Sequence, residues 1–169
     1  MDPHSFGYNY QTPDSQYLTP NGIIQALVDI VSKNGNFLLD IGPRSDGTIA
    51  EVMVDGLTEA GVWIQAHAES IFKTKYWSVT PGLGNFRYTT TKDSFYIHYL
   101  TTPEATLHIP DKVPYLSGDS VTVLGGSMHG SYVNVTESSD GTISLGLSSA
   151  QISADKYVWT FKLAYSSTL

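Results

Sequence analysis

Between Thr19 and Gly35 the apolar residues Ile23, Leu27, Ile30 and Val31 recur at helical spacing, and Ile24 and Val28 widen the stripe. Thr19 suits an N-cap and Pro20 a first helical position, while Lys33 and Gly35 suit the other end. The pattern predicts one helix there. It predicts a second over 51–71, where Leu57, Ala60, Ile64, Ala68 and Ile71 fall on one face. Between the two, Phe37-Leu38-Leu39-Asp40-Ile41 is short and almost continuously apolar, which predicts a buried parallel strand. Gly42-Pro43 ends that run, and Arg44-Ser45-Asp46-Gly47 carries turn chemistry. A shorter β-prone run at 5–8 precedes a polar loop over 9–18.

After Trp77 the period changes to two. Alternating runs at 86–90, 94–100, 105–109, 120–124, 132–135, 142–147 and 157–164 are punctuated by Lys92-Asp93, Ser117-Gly118-Asp119 and Asp140-Gly141. In the second of these runs Phe95, Ile97 and Tyr99 share one strand face, and Tyr96, His98 and Leu100 the other. The expected organisation is α/β over 1–75, followed by an all-β antiparallel sandwich over 76–169. The second part has strands enough to close its own core. The first does not, because two parallel strands and two helices leave sheet edges and helix faces without partners. The chain is therefore expected to begin inside a larger domain, completed by strands from upstream or from another chain.

Composition narrows the function classes. The net charge of −7, the pI of about 5.0 and the lack of a basic cluster argue against a nucleic-acid partner. The 11 tyrosines are attributed chiefly to strands, with polar flat ligands as the other reason for such enrichment. With no cysteine, neither a disulfide nor thiolate chemistry is expected. No apolar run is long enough to span a bilayer as a helix, so no membrane association is expected. Met1-Asp2-Pro3-His4 lacks the basic and apolar regions of a signal peptide. The histidines at 4, 67, 98, 108 and 129 show no metal-ligand spacing, so neither metal nor cofactor is expected. Gly125-Gly126 reads as a turn, and Asn134-Val135-Thr136 is a glycosylation sequon.

The motif Ser5-Phe6-Gly7-Tyr8-Asn9, the block running from Asn34-Gly35-Asn36 through Phe37-Leu38-Leu39-Asp40-Ile41-Gly42-Pro43 to Asp46-Gly47-Thr48-Ile49, and then Leu57, Gly61, Trp63, Ile71-Phe72 and Trp77 follow one another in a distinctive order. In order and spacing they resemble the C-terminal part of α-L-fucosidases of glycoside hydrolase family 29. Val158-Trp159-Thr160-Phe161-Lys162-Leu163 resembles the last strand of that family's C-terminal sandwich. The resemblance implies the final two β/α steps of a (β/α)8-like barrel followed by the sandwich. It implies a retaining exo-α-L-fucosidase that hydrolyses terminal α-L-fucosyl linkages in glycoconjugates, with an Asp nucleophile and usually a Glu acid/base. In the family both carboxylates lie upstream of the 5–9 motif, and no position here matches either. The chain alone is expected to be inactive. The implied partners are a fucosylated glycan and the missing N-terminal part of the barrel, and the implied location of the parent is secreted or lysosomal. The rival reading is a non-catalytic fucose- or glycan-binding or assembly module, with the sandwich as its active part.

Phe6 is the leading site candidate. The resemblance puts an aromatic there beside the methyl group of a 6-deoxy sugar, at the strand end where such barrels hold their sites. His4 and Tyr8 would share its strand face and offer hydrogen bonds to sugar hydroxyls. Asp40 stands where the family usually has Asn, Phe6 where it often has Trp, and His67-Ala68-Glu69 where it has Asn-Gly-Glu. Asp40, Asp46 and Glu69 are given no catalytic role: Asp46 belongs to a turn and Glu69 to a helix face. Asn134 is the glycosylation candidate.

Overall fold

A computed structural model describes residues 1–166 of the chain. The first helix, α1 (Pro20–Ser32), begins where its cap dictates: the Thr19 hydroxyl accepts from the Gly22 amide at 3.2 Å, and Pro20 opens the first turn. Asn34 takes the left-handed conformation (φ 64°) and stops the helix one residue before Gly35. Asn and Gly are the residues that do this at least cost. The second predicted helix is divided into α2 (Glu51–Ala66) and α3 (Ala68–Ile71) by His67, which leaves helical geometry.

The strands follow in chain order. They are β1 (Lys75–Tyr76), β2 (Phe86–Thr90), β3 (Ser94–Tyr99), β4 (Thr106–Ile109), β5 (Ser120–Leu124), β6 (Asn134–Glu137), β7 (Ile143–Gly146) and β8 (Trp159–Ala164). A short helix, α4 (Ser149–Ile152), precedes β8 and opens on a Ser148–Gln151 capping box. One antiparallel sheet has the order β1-β2-β3-β8-β5 and the other the order β4-β7-β6. In the larger sheet Ile97 lies opposite Phe161 and His98 opposite Thr160. The chain changes sheets around 133–134. Val133 N donates to Val121 O of β5 at 2.9 Å, whereas Asn134 already pairs with Gly146 of β7.

Both sheets contribute to one core, with Tyr88, Phe95, Ile97, Phe161 and Leu163 from the larger and Leu107, Ile109, Ile143 and Leu145 from the smaller. A second core joins α1 and α2 through Ile23, Ile24, Val28, Met53, Ala60 and Trp63, and takes in Val158 at the foot of β8. The alternation expected for β3 is covered on both sides. Phe95 and Ile97 face the first core, and Tyr96 and His98 are buried as well. Thr89 of β2 donates to Ser70 O of α3 at 2.7 Å, which ties the helical layer to that second face.

Two expectations fail. Residues 5–8 and 37–41 form no strand, and Leu38, expected in the interior, is 92% exposed. The segments do approach each other, so closely that a Cβ on Gly42 would lie 2.1 Å from Tyr8 N. A buried parallel strand needs a ladder on each side, and a lone pair of parallel segments does not sustain one. Phe37 and Leu39 still pack against the second core, so the run keeps one buried side.

Candidate functional site

The Phe6 segment is shaped by short-range hydrogen bonds instead of a sheet. The Asp2 carboxylate accepts from Thr12 Oγ1 at 2.6 Å and from His4 N at 2.8 Å. These bonds, that from Thr12 first, hold its carboxyl below the usual range. Ser5 Oγ donates to Gly7 O at 2.7 Å, and Met1 N donates to Asp40 O. The result is an open pocket of about 290 Å³ lined by Met1, Asp2, Pro3, His4, Ser5, Phe6 and Asp40.

Of the three site residues read from sequence, the pocket brings together two. Phe6 is 90% exposed and stands with His4 at the pocket wall. Tyr8 does not join them. It packs against the second core, under the Arg44 guanidinium 5.4 Å from its ring centroid. Without a strand there is no period-two alternation to put 4, 6 and 8 on one side. Asp40, given no role from sequence, reaches the pocket because Gly42 lets its segment run against 7–8. The pocket thus sets Phe6 and His4 beside Asp2 and Asp40.

The other candidate carboxylates have structural duties. Asp46 Oδ1 accepts from Thr48 N at 2.9 Å and Thr48 Oγ1 at 2.7 Å, which closes the turn and lowers the carboxyl's proton affinity. Glu69 pairs with Lys162 of β8 at 2.8 Å. Asn134 is exposed at the start of β6. Among the described residues no group of three or more His, Cys, Asp or Glu side chains could hold a metal ion, and no helix is long and apolar enough to cross a membrane.

Sequence reasoning missed a buried polar chain between the helices and the larger sheet. Thr89 Oγ1 lies 3.0 Å from His98 Nε2, and His98 Nδ1 lies 3.1 Å from Thr160 Oγ1. Because Thr89 gives its proton to Ser70 O, it accepts from His98 Nε2–H, so Nδ1 accepts from Thr160. Burial, and then the nearby His67, push His98 down to about 3, so the ring is neutral. Nothing local in 94–99 marks this histidine as interior, since its burial depends on which layer covers the sheet.

The whole-chain comparisons agree with the motif reading. Residues 1–69 match the α-L-fucosidase family model. The mouse tissue α-L-fucosidase is 31% identical over 166 residues, which cover 96% of this chain and 36% of that protein. Among solved structures, the Thermotoga maritima α-fucosidase in complex with fucose superposes with a TM-score of 0.82 at 23% identity, over 95% of this chain and 38% of that one. The α-L-fucosidase isoenzyme 1 of Paenibacillus thiaminolyticus gives a TM-score of 0.78 at 26% identity, over 95% and 37%. The chain therefore spans little more than a third of the length of these relatives. On its motifs, its family-model match and its fold, the chain belongs to the α-L-fucosidases of glycoside hydrolase family 29 and corresponds to their C-terminal part.

Proposed function

We propose that this chain is the C-terminal portion of a retaining exo-α-L-fucosidase acting on terminal α-L-fucosyl groups of glycoconjugates. In this reading residues 1–75 are the last two β/α steps of a (β/α)8-like barrel, and 76–169 the sandwich that follows it. Phe6 supplies the wall for the methyl group of fucose, His4 lies at the polar edge, and Tyr8 supports the segment from behind. The nucleophile and acid/base stand elsewhere in the complete barrel, so the chain alone is inactive.

The observation that carries the reading is the exposed apolar set Phe6, Leu38 and Ile41 on backbone with no ladder partner, within the stretch that matches the family model. Surface of this kind is what a sheet presents where further strands would pair with it. The test is hydrolysis of an aryl α-L-fucoside by the purified chain. No turnover above the uncatalysed rate is expected. Turnover of roughly 1–10³ per second would place both carboxylates in this chain and overturn the reading.

A further inference from the structure

The two cores meet at one end of β3 and β8. Tyr99 and Trp159 are the last paired residues there and pack on the first core. The next residues outward, Leu100 after β3 and Val158 before β8, belong to the second core, as period-two alternation at a strand end requires. Each helix holds one of them. Gln25 of α1 donates from Nε2 to Leu100 O at 2.6 Å, and Trp63 of α2 donates from Nε1 to Val158 O at 3.2 Å. A second polar link flanks each bond. Arg87 of β2 pairs with Asp29, one turn along α1 from Gln25. Lys156 and Tyr157 both donate to Glu59, one turn along α2 from Trp63. The sandwich thus holds both helices at one place, through backbone acceptors at a strand end.

The two segments that form the Phe6 pocket rest on the same core. Tyr8, Phe37 and Leu39 pack against it, as Leu100 and Tyr157 do. Phe6 stands two residues from Tyr8, Asp40 follows Leu39, and Gly42 closes against Tyr8 N. Neither segment forms a strand, so the core beneath sets where they stand relative to the helices.

We propose that the ends of β3 and β8 are a grip that sets α1 and α2 and, through the second core, the Phe6 and Asp40 segments, with Gln25 and Trp63 as positioning residues of the candidate site. The grip stands on these contacts alone, and its service to a sugar site rests on the fucosidase reading above. It gives the sandwich a supporting role in place of a ligand-binding one. The Trp63 bond is buried at both ends, so loss of its N–H leaves the Val158 carbonyl without a partner away from water.

Residual dipolar couplings of the backbone amides in the isotope-labelled full chain test this, because they report orientation and respond neither to ring currents nor to overall stability. Trp63→Phe keeps an aromatic ring in the core and removes one donor, and Gln25→Ala removes the other. In each variant the couplings of the affected helix, and those of Tyr8, Phe37 and Leu39, are expected to shift relative to the frame defined by β3 and β8. Ile143→Val, which thins the first core in the smaller sheet, is expected to leave them at wild-type values. Wild-type couplings in either folded variant, or equal shifts in Ile143→Val, overturn the proposal. If Trp63→Phe does not fold, Gln25→Ala decides alone, since Gln25 is only half-buried. No activity is read, so unchanged couplings remove the grip and leave the fucosidase reading standing, while failure of that reading leaves the expected couplings as they are.

Discussion

Replacing Thr89 with valine keeps the shape of the side chain and removes one hydroxyl. That hydroxyl donates to Ser70 O at 2.7 Å and accepts from His98 Nε2 at 3.0 Å, in a fully buried position. The variant therefore strands a carbonyl and an N–H together. Each stranded group costs about 1–3 kcal/mol, so the pair costs roughly 2–6 kcal/mol, and a value near 3 kcal/mol allows for some relaxation. For a chain of this size that lowers the melting midpoint by roughly 6–12 °C. The assay is thermal and urea unfolding followed by circular dichroism. Thr106→Val serves as control, because Thr106 is exposed on β4 and should shift stability by no more than about 0.5 kcal/mol. A Thr89→Val loss within that same 0.5 kcal/mol would refute the inference that Thr89 links α3 to the sheet through His98.

Four further outcomes are expected. Because His98 is held at about 3 while an unfolded histidine titrates near 6.5, stability falls as pH drops through that window, by up to about 1.4 kcal/mol per pH unit; a His98→Gln variant with an unchanged slope between pH 6 and 4 would contradict this. Gly125→Ala forces a side chain onto a residue with φ +83° and onto the His67 ring, and should cost about 3 kcal/mol by urea unfolding; a loss under 1 kcal/mol would show that the ring is free to move. Phe6→Ala should leave the melting midpoint of this chain unchanged within 2 °C, since Phe6 is 90% exposed; a large drop would make Phe6 a core residue. Expressed through a glycosylating secretory route, the chain should carry a glycan that peptide N-glycosidase removes and that Asn134→Gln abolishes; an unmodified intact mass would count against that site.

Signals confined to a few neighbouring residues were legible in the sequence. Thr19 and Pro20 set the start of α1, and Gly35 marked its end to within a residue of Asn34, which takes the left-handed conformation. The period-two runs of the second part located its strands to within a residue or two, because one face of each is a core face. The missed features are non-local. The apolar run 37–41 carries the composition of a buried strand, but strand formation depends on neighbours that composition does not supply. Tyr96 and His98 fell on the face of β3 opposite Phe95 and Ile97, and nothing local showed that α3 docks on that side and buries it. His67 showed in sequence only as a departure from a motif. In the candidate site, the strand face expected to carry His4, Phe6 and Tyr8 does not form: Phe6 and His4 lie at one open pocket with Asp40, and Tyr8 packs against the second core.

The central claim is that this chain works as the C-terminal part of a larger fucosidase. Native size fractionation of the expressing organism's extract, with each fraction tested for this chain by antibody and for aryl α-L-fucoside hydrolysis, addresses it most directly. Antigen and activity are expected to co-elute at a mass well above the 18.4 kDa of these residues. Antigen at 18.4 kDa that carries the activity by itself, or antigen in a large species from which fucosidase activity is absent, would contradict the account.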